Sequence, residues 1–183
     1  MIYLCANLFS KADQEFNTHL VRLLRARGWE VFAPQEQAYN EKARRDTEIS
    51  PQSIFLNDTV AVMRANAMFV LLDGPDIGSG VAFELGVFWT LHRQFPDRYW
   101  GCVGLWTDIR QDGEANNVAY RSQKAYINQF CVGGIEDMGT ICRSPEDAVE
   151  ETGRLMTLKE SYSNSLSRRV SLPEDLAFQG FVS

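Results

Sequence analysis

Long apolar runs are missing from this sequence. No stretch approaches the roughly 20 residues that a bilayer-spanning helix needs, so no membrane span and no membrane partner are expected. An excess of basic residues is missing too. The net charge is −6, which argues against nucleic acid or an acidic lipid surface, since either requires a basic face. Cys5, Cys102, Cys131 and Cys142 form no CxxC pair, and no His is spaced as a metal partner. They read as reduced thiols, mostly buried, in a cytoplasmic protein without a metal site. No GxGxxG follows the first apolar run, and no GxxxxGKS/T occurs anywhere, which removes the common dinucleotide and P-loop signatures. The opening "MIYLCANLFS" has no basic stretch before its apolar residues, so it reads as a first strand rather than a signal peptide.

What is present is an alternation of short apolar runs with helical patterns. Strands are expected at 1–7, 29–34, 67–73 and 100–107, with a weaker fifth at 131–135, "CVGGI". Ser10 opens a capping-box pattern, Phe16, Leu20, Leu23 and Leu24 follow at helical spacing, and Gly28 stops that helix. Ser50-Pro51 starts a helix to about residue 66. Further helices are expected over 79–93, 118–130 and from Ser144-Pro145 to about residue 159. The loops 35–49 and 108–117 are polar, and "EKARRDTE" (41–48) reads as a solvated face or as a cover for a bound base. This order predicts an α/β fold, a doubly wound five-stranded parallel sheet with helices on both faces. One domain spans 1–159, and 160–183 forms a polar tail or an arm on a neighbouring subunit. Ligands of such sheets bind beyond the carboxyl ends of the strands.

Two acids stand on apolar stripes. In "GSGVAFELGVFWTLH", Glu84 shares a helix face with Val81, Phe88 and Leu91. In "SIFLNDTVAVMRA", Asp58 follows Ile54 and Phe55 and precedes Val62 on one face. A buried carboxylate is unfavourable unless paired or neutralised. Each acid alone reads as a hydrogen-bonded strut. Two together, on helices flanking one strand, read as paired carboxylates with separated pKa values, an ionised nucleophile and a proton donor. "GSG" (78–80) reads as a tight turn or as an anion cradle at a helix start. His19 and His92 read as solvated or capping residues, and Trp89, Trp100 and Trp106 as packing or subunit-contact residues.

These residues together resemble the nucleoside 2-deoxyribosyltransferase family. "MIYLCANLFS" is similar to the family's opening IYLAGPLF, "FAPQEQ" to its second strand and turn, and "GSGVAFELG" to its DSGTAFEIG segment. "IFLNDTVAVMRANAMFVLLDG" resembles its helix–strand unit, "VGLWTDIR" its next strand, and "GEANNVAY" a degraded form of its N-L-M segment. The match covers about residues 1–120 and extends thinly to 155. The resemblance implies a flavodoxin-like or Rossmann-like fold and a cofactor-independent enzyme of nucleotide salvage that moves 2-deoxyribose between nucleobases. It implies Glu84 as nucleophile, Asp58 as the acid at the departing base, and Tyr3 as the group orienting the nucleophile. Phe9, Asp76, Gly78, Ser79 and Asn116 (or Asn117, one register on) fall at substrate-binding positions. The asparagine would serve a neighbour's site, so a homo-oligomer with shared active sites is implied. The partners would be nucleosides or nucleotides and free nucleobases.

Two positions depart from the family pattern. Gly78 stands where the family has an Asp that helps hold the sugar 5′-hydroxyl, leaving that contact to Ser79, Asp76 or backbone amides. Val118 stands where a Met is usual. These departures keep one enzymatic alternative open, an N-glycosidase of (deoxy)nucleoside 5′-monophosphates; a non-catalytic nucleotide or nucleoside sensor using the same pocket is the alternative from another class.

Overall fold

β1 (Ile2–Cys5), β3 (Ala67–Leu71) and β4 (Gly101–Leu105) are buried along their whole length. Strands covered on both faces need apolar residues at every position, and that is what these three segments carry. The structure, a computed structural model, describes residues 1–37, 50–74, 76–108 and 127–167, with side chains through residue 158. Within these, β2 (Val31–Phe32) and β5 (Gly139–Cys142) complete a sheet of order β2-β1-β3-β4-β5. Every pairing is parallel, with Ile2 opposite Val31 and Ala67, Ala67 opposite Gly101, and Cys102 opposite Gly139.

Alternation along the strands builds two cores. Ile2, Leu4, Phe69, Leu71, Val103 and Leu105 face α1 (Lys11–Arg25) and the last helix, α5 (Pro145–Ser167), through Leu20, Leu24, Ala148 and Met156. Tyr3, Cys5, Met68, Val70 and Cys102 face the other way. They meet α2 (Pro51–Arg64), α3 (Ser79–Gln94) and α4 (Gln129–Met138) through Val62, Val81, Leu85, Phe88 and Ile135. The doubly wound sheet expected from the sequence is therefore present. Its chain order reverses between β1 and β3, and such a reversal opens a crevice at the strands' carboxyl ends.

The helix starts follow local chemistry. Ser10 and Asp13 form a reciprocal capping box, with Ser10 Oγ accepting from the Asp13 amide at 3.0 Å and Asp13 accepting from the Ser10 amide at 3.1 Å. Ser50 and Ser144 also cap α2 and α5, each hydroxyl accepting from the backbone amide of Ser53 and Asp147 respectively. α1 ends at Arg25, and Gly28 then adopts a φ of +82°, a left-handed turn that suits glycine.

Two expectations are corrected. "CVGGI" (131–135) is not a strand; it lies inside α4, and the fifth strand is the next segment, Gly139–Cys142. Cys131, Ile135 and Met138 are buried at helical spacing, and Asn128 caps the helix by accepting from the Phe130 amide at 3.0 Å. The apolar window alone suits either element, and only Met138, three residues beyond it, completes the helical stripe. α5 also runs to Ser167 rather than about residue 159, so the first eight residues of the expected polar tail are helical. The helix expected over 118–130 falls mainly outside the described residues. Among the described residues no helix is long and apolar enough to cross a membrane.

Candidate active site

β1 presents Tyr3 and Cys5 on one face because alternate residues of a strand share a side. α3 begins just after the β3 turn, which places Glu84 in its second turn, above that face. The three side chains meet. Tyr3 Oη donates to Glu84 Oε1 at 2.8 Å, and Cys5 Sγ donates to Glu84 Oε2 at 3.1 Å. Each carboxylate oxygen is thereby held by a donor from below, and the group has one fixed orientation.

The electrostatics follow from burial. Tyr3 and Cys5 have no measurable exposure. Desolvation pushes both their pKa values far up, and the Glu84 charge adds to the effect, so both remain protonated donors. Glu84 is half-buried. Desolvation raises its pKa, the bonds from Cys5 and Tyr3 pull it back, and the negative charge of Asp58 raises it again. The net direction is upward.

Asp58 and Glu84 line one cleft of about 170 Å³, between α2 and α3. Phe55, Val62, Phe83 and Val87 form most of its walls, and Gly80 leaves room at the base of α3. Phe55 and Phe83 meet edge to face across it, ring centroids 6.1 Å apart. The volume lies below the roughly 300–1,000 Å³ of a site for a whole drug-sized ligand. It suits one small ring held between two acids. An ionised carboxylate fixed at both oxygens, with a second acid on the facing helix, can attack an electrophilic carbon while the other acid handles a leaving group's proton. Among the described residues no group of three or more His, Cys, Asp and Glu could hold a metal ion.

The other residues singled out from the sequence are more dispersed. Phe9 is 86% exposed and does not line the cleft. Asp76 is exposed and accepts from the Ile77 amide at 2.8 Å. Gly78 is the N-cap of α3, which has no side-chain cap, and Ser79 is the first, exposed helical residue. Asn116 and Asn117 lie outside the described residues, as do Val118 and "EKARRDTE". His92 Nδ1 lies 2.6 Å from the Tyr99 carbonyl, near the end of α3. Trp89 donates to Asp137 at 2.8 Å, Trp100 donates to the Asp97 carbonyl at 3.1 Å, and Trp106 packs against the core that contains Tyr3.

Three contributors escape a reading by motif. Cys5 is the reduced, buried thiol the sequence leads one to expect, and only its spacing of two from Tyr3 signals its further contact with Glu84. Asp73, two residues past the end of β3, accepts from the Thr107 amide at 2.6 Å, the Thr107 hydroxyl at 2.5 Å and the Asp108 amide at 2.9 Å. It ties the exit of β4 to that of β3. Asn7 presses on Gly78 so closely that a Cβ there would lie 2.0 Å from Asn7 Oδ1. Gly78 is thus occupied space rather than a gap.

The sequence model of the nucleoside 2-deoxyribosyltransferase family matches residues 2–153. Among solved structures, a conserved protein from Enterococcus faecalis V583 is 32% identical, with a TM-score of 0.70; the match covers 84% of this chain and 96% of that one. A 2-deoxyribosyltransferase from Bacillus psychrosaccharolyticus shares the fold at 18% identity and a TM-score of 0.55, over 81% of this chain and 89% of that one. No curated protein gives a significant match.

Proposed function

The chain belongs to the nucleoside 2-deoxyribosyltransferase family, and from that premise we propose that it transfers 2-deoxyribose between nucleobases by double displacement through an ester on Glu84. The observation carrying this reading is the cleft in which Glu84, held by Tyr3 and Cys5, faces the same space as Asp58. In the first step a Glu84 oxygen bonds to C1′ as the C1′–N bond breaks. The electron pair leaves with the base nitrogen, which takes a proton from Asp58. In the second step a nitrogen of the incoming base attacks C1′ and yields its proton to Asp58, and the ester electrons return to Glu84. Two inversions retain the configuration. Water in place of the second base gives hydrolysis, so transfer requires a covered pocket.

Homo-oligomerisation belongs to the same proposal. Phe55, Leu56, Val60 and Phe83 are each more than half exposed around α2 and α3. An apolar surface of this kind beside a small cleft suits closure by a second copy, with Asn116 or Asn117 reaching the neighbour's site. All four cysteines are free, which suits the reducing cytoplasm.

The test is base exchange. Incubated with deoxyinosine and free adenine, the protein yields deoxyadenosine; hypoxanthine and free deoxyribose alone would mean hydrolysis. Tight ligand binding without turnover, unchanged in Glu84→Ala, would mean a sensor.

A further inference from the structure

A second hollow lies on the other flank of α3. α3 and α4 enclose an open, largely apolar groove of about 560 Å³, which shares no residue with the Asp58 cleft. Trp89 and Phe130 are exposed in it, Phe130 by 90%. Its floor is bare backbone at Gly86, Gly133 and Gly134, where a Cβ would meet nothing within 4 Å beyond its own helix. Glycine inside a helix is destabilising relative to alanine, and among the described residues no neighbour forbids alanine at these three positions. What the glycines preserve is room in the groove. Exposed aromatic side chains around such a space mark a docking surface.

The end of the chain is placed to fill it. α3 and α4 each lead into a strand, at Gly101 and Gly139, so Arg93 and Asp137 mark the mouth of the groove at the amino ends of the strands. α5, on the opposite face of the sheet, runs toward the same edge. Leu155 Cδ1 would lie 3.8 Å from a Cβ on Gly101, the first residue of β4. From that level α5 continues to Ser167, about 18 Å further at 1.5 Å per residue. With about 10 Å between packed layers, the two helix layers are about 20 Å apart, so the mouth lies about 27 Å from the end of α5. Residues 168–183 follow Ser167, and at full stretch they reach about 53–58 Å. About eight of them cover the distance. The sequence divides at that point. Residues 168–175, "RRVSLPED", hold every charge of the segment, whereas 176–183, "LAFQGFVS", hold none and are mostly apolar.

We propose that the groove between α3 and α4 is the seat of this chain's own carboxyl-terminal end, with Leu176, Phe178 and Phe181 against Trp89, Phe130 and the bare glycines. Residues 168–175 act as the tether. A tether that spans its sites makes the docking intramolecular, so a modest apolar contact suffices to fill the groove.

Cysteine labelling tests this. Cys131 lines the groove and is 7% exposed, Cys142 lies partly exposed on β5, and Cys5 is sealed in the core. The full chain and a chain ending at Ser167 are treated with N-ethylmaleimide, and each cysteine is followed by peptide mass spectrometry. Loss of the tail should speed labelling of Cys131 about tenfold, the ratio for nine chains in ten seated, since labelling follows the open population. Cys142 should change less than about twofold. Cys5 should stay unlabelled, which reports an intact fold. The full-length double variant Phe178→Glu, Phe181→Glu should match the shortened chain, and a peptide of residues 168–183 added to the shortened chain should restore protection. Equal labelling of Cys131 in the full chain and the double variant would overturn the proposal, even if the shortened chain failed to fold. Protection by a chain's own tail should be the same at about 1 and about 100 μM protein. Protection that disappears on dilution would overturn it in favour of a neighbour's tail.

Discussion

Glu84 is an acid that a hydrophobic environment makes more basic without releasing it. Its two donors are permanent ones, since burial keeps Tyr3 and Cys5 protonated. Activity that needs ionised Glu84 must rise with pH through a pKa above the usual glutamate range. The acid limb of the kcat/KM profile should therefore lie above about pH 4.3. Tyr3→Phe and Cys5→Ala each remove a bond that favours the ionised form, so each should lower turnover and move that limb further up. A limb that stays in place or shifts down would contradict the roles assigned. The same raised pKa bears on stability. The favourable contribution of Glu84 is fully present below its unfolded value, near pH 4.3, and is lost as pH rises through the folded value. At neutral pH the ionised group opposes folding. Glu84→Gln should be inactive yet melt a few degrees higher at pH 7, about 2–4 °C per kcal/mol for a chain of this size. Melting curves at pH 7 and pH 4 check this, with the difference shrinking at the lower pH. Both acids were legible as charges on apolar stripes, and Tyr3 through the family resemblance. The partnership of Cys5 was not, because a buried thiol ordinarily packs as a small apolar residue. The contact of Asn7 with Gly78 joins residues that only the fold brings together.

At the scale of elements, the site depends on three strand exits held in fixed relation. Asp73 is the tie between two of them, with three bonds to the segment after β4. Asp73→Ala should destabilise the protein by about 2–3 kcal/mol, measured by denaturant unfolding, and raise KM more than it lowers kcat. β5 has its own constraint. A Cβ at Gly139 would lie 1.7 Å from the Cys102 carbonyl oxygen, a backbone atom that cannot turn aside. Gly139→Ala should cost about 1–3 kcal/mol although it lies on the edge strand. Strands β1, β3 and β4 were readable because burial on both faces leaves continuous apolar runs. β5 was not, because its four residues are only partly covered and the apolar run before them belongs to α4. The capping box of α1 and the Ser-Pro helix starts were readable because their hydrogen bonds are local in sequence.

At the scale of the molecule, the sheet reverses order between β1 and β3, and the donors on β1 and the Glu84 carboxylate after β3 meet at that reversal. The two-sided core was legible from the alternation of element types, since a continuous apolar strand requires cover above and below. The cleft was not, because it is formed by two helices whose packing is tertiary. An oligomer that covers the apolar surface around it should dissociate when Phe83 is charged. Phe83→Glu should lower the mass in solution, as read by sedimentation, and cut transfer in favour of hydrolysis. The central claim is the ester on Glu84, and it is tested most directly by mass. Protein quenched with acid after mixing with deoxyinosine, without acceptor base, should carry one deoxyribosyl group on the peptide containing Glu84. Adenine should discharge that group as deoxyadenosine, and Glu84→Gln should never acquire it. Base exchange that proceeds at full rate in Glu84→Gln, or a sugar adduct mapped to another residue, would contradict the account.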